Sequence, residues 1–198
     1  MLKLGITGGV GSGKSEVLAY LKEEHKAVIC QADLVAHELQ KPGKGCWEKI
    51  ISYFGKEICN PDETIDRKRL GAIVFADEKK LKVLNTIVHP EVNKCIREMI
   101  LAEEQKGTEI FVLEAALMTE QIYRDMLDEI WFIYTEKEVR KERLRISRGY
   151  TDEKIDSMMA SQASDEVFRE FCDLSIDNSG NFEETKAQID RAILKKKN

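Results

Sequence analysis

Gly8-Gly9-Val10-Gly11-Ser12-Gly13-Lys14-Ser15 satisfies G-x-x-x-x-G-K-[ST] at every fixed position, and no other stretch restricts the fold of this chain as tightly. The motif has physical meaning only between a strand and a helix, and both neighbours read that way. Leu2-Lys3-Leu4-Gly5-Ile6 has the composition of a short buried strand, and residues 15–22 continue as a helix with Val17, Leu18 and Leu21 on one face. Glycines let the backbone turn with its N–H groups inward, and the helix adds the positive end of its dipole, which together make a cradle for a di- or triphosphate. Lys14 is expected to reach the β- and γ-phosphates, and the Ser15 hydroxyl to bind the Mg²⁺ that bridges them. Glu16 completes the expected nucleotide-binding stretch. Its carboxylate suits the first helical turn but repels phosphate, so it is expected to turn aside.

Composition bounds the rest. A chain of 198 residues, 42% hydrophobic and 34% charged, is sized for one globular domain with room for an inserted subdomain. The net charge of −5 argues against a nucleic-acid or membrane-surface partner, so any polyanionic ligand must be met by a local basic cluster. Cys30, Cys46, Cys59, Cys95 and Cys172 are scattered singly, with no C-x-x-C pair, and read as reduced thiols. The first residues run straight into a strand and the longest apolar runs are strand-sized, so the expected location is cytoplasmic.

Along the chain, residues 27–31 form a second strand candidate ending in Ala32-Asp33, where an α/β sheet presents side chains to its ligand crevice. Asp33 is either a functional carboxylate there or the cap of a helix over Leu34–Leu39. Helical spacing recurs over 45–54 and 67–75, with a turn-rich piece between them. A helix over Glu78–Val88 is expected to stop at His89-Pro90, with a new one over Glu91–Gln105, because proline disfavours helix in the residue before it. His89 at such a junction is either a cap or a functional group. Residues 109–113 form a strand apolar enough to be buried on both faces, and Glu114 at its tip is placed either like a Walker B carboxylate, acting on the metal through water, or as a helix cap or surface charge.

A fourth strand spans 129–134, and the helix after it carries the densest basic cluster, Arg140, Lys141, Arg143, Arg145 and Arg148, before a break at Gly149. A basic helix, a glycine break and a second helix over Asp152–Ala160 suit a lid that closes arginines over a nucleotide, the alternative being a solvated charged face. Arg143 and Arg148 are the expected catalytic arginines, while Arg140 is expected to face solvent. A short strand at 174–176 and a helix over Phe182–Leu194 close the chain. The expected fold is an α/β doubly wound parallel sheet, a P-loop kinase core with a helical substrate-binding insertion and a lid. The core covers about 1–40, 107–135 and 172–198, the helical region about 41–106, and the lid about 140–165.

Several ordered stretches together resemble the dephospho-CoA kinase family: the run from Gly5 to Ser15, Ala32-Asp33, Arg67-x-x-Leu70 leading to Val74-Phe75, His89-Pro90, Leu117 with Glu120, Gln162, and Asp177-Asn178-x-Gly180. The resemblance implies transfer of the γ-phosphoryl group of ATP, with Mg²⁺, to the ribose 3′-hydroxyl of dephospho-CoA. It also implies Asp33 as the acceptor base, and His89, Leu117 and Glu120 at the acceptor site. The chain differs from the family's usual pattern at Glu16, Gln31, the 114–120 stretch and the lid-arginine spacing, so Arg143, Arg145 and Arg148 all stay candidates for ATP contact. Two other classes compete: a nucleotide-dependent switch, although no Asn-Lys-x-Asp guanine-reading motif occurs, and a kinase of another small acceptor such as a nucleoside or shikimate-like metabolite.

Overall fold

The computed structural model describes residues 1–116, Met118 and residues 121–197. Five strands, β1 (Leu2–Thr7), β2 (Val28–Gln31), β3 (Ile110–Glu114), β4 (Glu129–Tyr134) and β5 (Leu174–Asp177), form one sheet in the order β2-β3-β1-β4-β5. The pairs β1/β3, β1/β4 and β4/β5 are parallel, with Ile6 opposite Glu114 and Trp131. Parallel neighbours cannot be joined by tight turns, and the apolar run of β3, buried at every position, is what a strand covered on both faces requires. The core joins Leu4, Ile6, Val112, Trp131 and Ile176 of the sheet to Val17, Leu18 and Leu21 of helix α1 (Lys14–Glu24). The closing helix α10 (Phe182–Lys197) adds Ile189 and Ile193. The three α1 residues are the face expected from the spacing.

The chain divides into two compact units, residues 1–30 with 106–198, and residues 31–105. The second unit holds α2 (Ala32–Leu39), α3 (Gly45–Phe54), a 3₁₀ turn (Lys56–Ile58), α4 (Arg67–Phe75) and α5 (Glu78–Gln105). It therefore includes α2 as well as the helices that follow.

The expected helix boundary at His89-Pro90 is not there: α5 is one helix of 28 residues with Pro90 inside it. Proline in a helix interior costs about 3 kcal/mol through a lost hydrogen bond and a steric clash. Against that stand Val88, Val92, Ile96 and Ile100, a buried stripe at four-residue spacing that runs through the proline, each worth about 1.5–3 kcal/mol. A break at 89 would divide that stripe, so packing overrides the local preference. A second correction concerns Asp33. Helix α2 begins at Ala32 with Gln31 in the N-cap position, so Asp33 lies inside the first turn and does not cap a helix starting at Leu34.

In the first unit, β3 and β4 are joined through a short helix α6 (Gln121–Arg124), and β4 leads to α7 (Lys137–Arg148), α8 (Asp152–Ala160) and α9 (Asp165–Phe171). Neither α6 nor α9 has a sequence pattern long enough to announce itself. No helix among the described residues is long and apolar enough to cross a membrane.

Candidate active site

The loop between β1 and α1 is held from three directions. At its C-terminal end, Gly13 is the N-cap of α1 in a left-handed conformation, φ 82°, and its carbonyl accepts from the N–H groups of Glu16 and Val17. A side chain there would be strained by that φ, and its Cβ would overlap Asn178 Nδ2. Asn178, just past β5 and 1% exposed, donates to the Ser12 carbonyl at 2.9 Å and accepts from Thr185 Oγ1 at 2.9 Å. Thr135, just past β4, donates to the same carbonyl at 3.0 Å. The carboxyl ends of β4 and β5 thus fix the loop's floor, which is where a parallel sheet offers its ligand crevice.

The crest of the loop is fixed separately. Val10 N–H donates to Gln162 Oε1 at 2.9 Å, and the Val10 carbonyl accepts from Arg140 Nε at 2.9 Å. Arg140 is 9% exposed, so the expectation that it faces solvent is overturned. Burial lowers its pKa, and Asp165, with Oδ1 3.7 Å from Nη1, pushes it back. A guanidinium stays charged in such a setting. Charge counting in sequence cannot separate a solvated arginine from one turned inward on the same helix.

Lys14 Nζ donates to the Gly8 carbonyl at 2.8 Å and stands 3.9 Å from Glu114 Oε1, with both side chains largely buried. The strand register that sets Glu114 opposite Ile6 brings the tip of β3 to the start of the loop. Ser15 and Glu16 are exposed at the start of α1, Glu16 in the first turn where a carboxylate meets the positive end of the helix dipole.

Two buried polar atoms have no hydrogen-bond partner among the described residues, and both belong here: Ser12 Oγ and Arg143 Nη1. Arg143 Nη1 comes within 3.4 Å of the position a Gly13 Cβ would take. Unpaired buried donors are costly, and two of them at one phosphate-type loop fit a polyanion that accepts from both. The other lid candidates are disposed differently. Arg145 Nε is bonded to Asp152 Oδ1 at 2.6 Å, and Arg148 is exposed at the end of α7. Of the three arginines, only Arg143 turns toward the loop.

The donor set also suits a divalent cation. Magnesium keeps several waters and is commonly bound by one or two protein oxygens together with substrate phosphates, and the Ser15 hydroxyl and the Glu114 carboxylate supply oxygens of that kind.

In the second unit, Asp33 lies on the first turn of α2, exposed, and His89 lies exposed midway along α5. Burial, reinforced by the Arg67 cation, lowers the pKa of His37, and the Asp33 carboxylate one turn earlier opposes that shift. Asp33 and Arg67 are therefore electrostatic neighbours of one imidazole. Leu117 and Glu120 lie outside the described residues. Sequence reasoning missed the positions that shape the loop, namely Arg140, Thr135 and the contact from Asn178 to Ser12. Gln162 and Asn178 could be found only through the family resemblance.

Comparison with known proteins is consistent across chain and fold. The family model for dephospho-CoA kinase matches residues 2–184. A dephospho-CoA kinase of Thermobifida fusca is 40% identical over 189 residues, 96% of this chain and 93% of that protein. One of Carboxydothermus hydrogenoformans is 39% identical over 186 residues, 94% and 90% of the two chains. Among solved structures, TT1252 from Thermus thermophilus superposes with a TM-score of 0.79 at 26% identity, over 98% of this chain and 97% of that one. A dephospho-CoA kinase from Campylobacter jejuni shares the fold, with a TM-score of 0.71 at 23% identity over 97% and 95% of the chains.

Proposed function

This chain belongs to the dephospho-CoA kinase family, enzymes of the last step of coenzyme A synthesis, and from that membership we propose how its own residues carry out the transfer. The reaction phosphorylates the ribose 3′-hydroxyl of dephospho-CoA at the expense of ATP. The O3′–phosphorus bond forms, the bond from the γ-phosphorus to the β,γ-bridging oxygen breaks, and ADP leaves. Phosphoryl transfer asks little covalent chemistry of the protein, so positioning and charge stabilisation carry most of the rate.

Apart from those of Val10 and Ser12, which are bonded to Gln162 and to the Gly9 carbonyl, the N–H groups of the loop from Gly8 to Ser15 cradle the polyphosphate, and Lys14 exchanges its contact with the Gly8 carbonyl for the β- and γ-phosphate oxygens. Ser15 Oγ and, through water, Glu114 would hold Mg²⁺, which would supply neutralisation of phosphate charge. Arg143 stabilises charge on the transferring group, and Arg148 lies further along the same lid helix. Asp33 accepts the proton of the acceptor hydroxyl, and its exposed carboxylate makes no cap bond that would have to be broken. His89, Leu117 and Glu120 are the residues assigned to contact with the acceptor, and α7 and α8 form the lid. The reaction belongs in the cytoplasm.

One observation carries this reading: the paired Lys14 and Glu114 and the unpartnered Nη1 of Arg143 converge on a single glycine-rich loop. The test is ADP release from ATP·Mg²⁺ with and without dephospho-CoA, beside a panel of nucleosides and shikimate. Release should depend on dephospho-CoA. Equal release without any acceptor would instead identify a nucleotide switch, and preference for another acceptor would reassign the substrate.

A further inference from the structure

Val10, at the crest of the P-loop, has both of its backbone polar groups taken by side chains from far along the chain. Gln162 accepts its N–H and Arg140 donates to its carbonyl, and these two side chains are bonded to each other, Arg140 Nη2 to Gln162 Oε1 at 3.2 Å. A Cβ on Gly9 would overlap the Arg140 guanidinium, so glycine at that position is required by the protein's own packing and not only by phosphate. The three groups form a closed triangle in which each member makes a bond to both of the others.

The two side chains bracket α7 and α8. Arg140 lies in the first turn of α7 and Gln162 two residues past α8, so the helical pair begins and ends on one residue of the loop. Within the pair, Lys141 to Asp156 and Arg145 to Asp152, both at 2.6 Å, tie α7 to α8. Arg143 rides on the same helix, one turn after Arg140. Its place over the loop is thus set by the anchorage that shapes the crest.

The electrostatics set Arg140 apart from an ordinary structural arginine. A buried charge is best offset by a carboxylate in direct contact, but the direct partners here are two uncharged oxygens, and Asp165 stands at 3.7 Å.

We propose that Arg140 and Gln162 are positioning residues for phosphoryl transfer, holding the Val10 crest and the Arg143-bearing helix in one fixed relation so that the phosphate cradle and the guanidinium are organised together. Neither side chain touches the reacting atoms. The inference rests on the loop being the ATP site of the proposed reaction, and the two fail in different ways. If that reading fails, the parental enzyme shows no ADP release that depends on dephospho-CoA. If only the inference fails, the parent is active and the variants match it.

The test uses the full chain with Gln162→Met, Arg140→Met, the double variant, and Gln162→Glu, which keeps an oxygen acceptor for both partners. Steady-state kinetics for each substrate are read beside melting temperature. Gln162→Met should lower kcat/KM for ATP about tenfold or more, the loss that follows from a half-buried, charge-linked hydrogen bond, and leave KM for dephospho-CoA within about twofold. Arg140→Met should lose at least as much. The double variant should be no worse than the weaker single variant by more than about twofold, because both act through one peptide. Gln162→Glu should recover most of the activity. Parental kinetics in Gln162→Met would overturn the proposal, as would single losses that multiply in the double variant. So would a lowered melting temperature with unchanged kinetics in the folded protein, the signature of a purely structural contact. Gln162 is only half-buried, in a connection between helices, so its variants decide the matter even if Arg140→Met does not fold.

Discussion

Replacing Arg143 with methionine should move activity and stability in opposite directions. Methionine keeps the unbranched stem along α7 and removes the guanidinium, whose Nη1 is buried beside Gly13 with no hydrogen-bond partner among the described residues. In the folded protein without nucleotide that donor is a liability of about 1–3 kcal/mol, the cost of a buried polar group left unmade. At about 2–4 °C per kcal/mol for a chain of this size, removing it should raise the melting temperature by several degrees. In the proposed reaction the same group meets charge on the transferring phosphoryl. Loss of one such preorganised donor costs about 2.7–4 kcal/mol, or roughly a hundred- to a thousandfold in kcat. KM for ATP should change little, because the interaction is strongest in the transition state. The assay is coupled ADP release at saturating dephospho-CoA, with thermal melting of the same preparations. Parental kcat would refute the reasoning, and so would a fall in melting temperature in step with activity, which would make Arg143 a packing residue.

Three further outcomes are expected. Asp33→Asn should lower turnover by about two to four orders of magnitude, the range for a lost general base, with ATP binding unchanged. Because Gln31 and not Asp33 occupies the N-cap position, the variant's folding stability should fall by no more than the loss of a helix-dipole contact, about 0.3–1 kcal/mol, and near-normal turnover would remove Asp33 from the mechanism. Pro90→Ala should stabilise the helical unit by up to about 3 kcal/mol by restoring a hydrogen bond inside α5, and a destabilised variant in denaturant titration would contradict the continuous helix. Asp173 is the pH-sensitive case: burial pushes its pKa up, but bonds from Arg124 and from Ile130 N–H outweigh this and hold it below the usual carboxylate range. A depressed folded pKa contributes stability in full above the unfolded value of about 3.9, and that contribution is lost as pH falls through the folded value. Asp173→Asn should therefore be less stable at neutral pH by about 1–3 kcal/mol and should show a shallower acid limb below about pH 4, read by melting at several pH values.

The local framework was legible because it is written in short-range patterns. The apolar run of β3 demanded cover on both faces, and the Val17, Leu18, Leu21 spacing named the buried side of α1 before any tertiary contact was known. Pro90 shows the limit of such reading: a rule about two adjacent residues was correct in isolation and lost to a stripe of four aliphatic side chains that gains its energy only when the neighbouring helices are in place.

What the sequence determined by itself is the chemistry. Eight consecutive residues specify a phosphate loop, because their backbone conformations and the lysine and serine at the end are local properties, and the ordered stretches that resemble the dephospho-CoA kinases specify the acceptor. The tertiary structure decided which charges serve that loop. Arg140, Arg143, Arg145 and Arg148 are alike in sequence, yet one is buried against Val10, one turns an unpaired nitrogen toward Gly13, one is bonded to Asp152 and one is exposed. The partners that make these distinctions lie up to 130 positions away, as Val10 does from Arg140, and a side chain's direction is set by whatever the fold packs beside it. No spacing rule along the chain carries that information, because the energy that selects each arrangement exists only between segments brought together by folding.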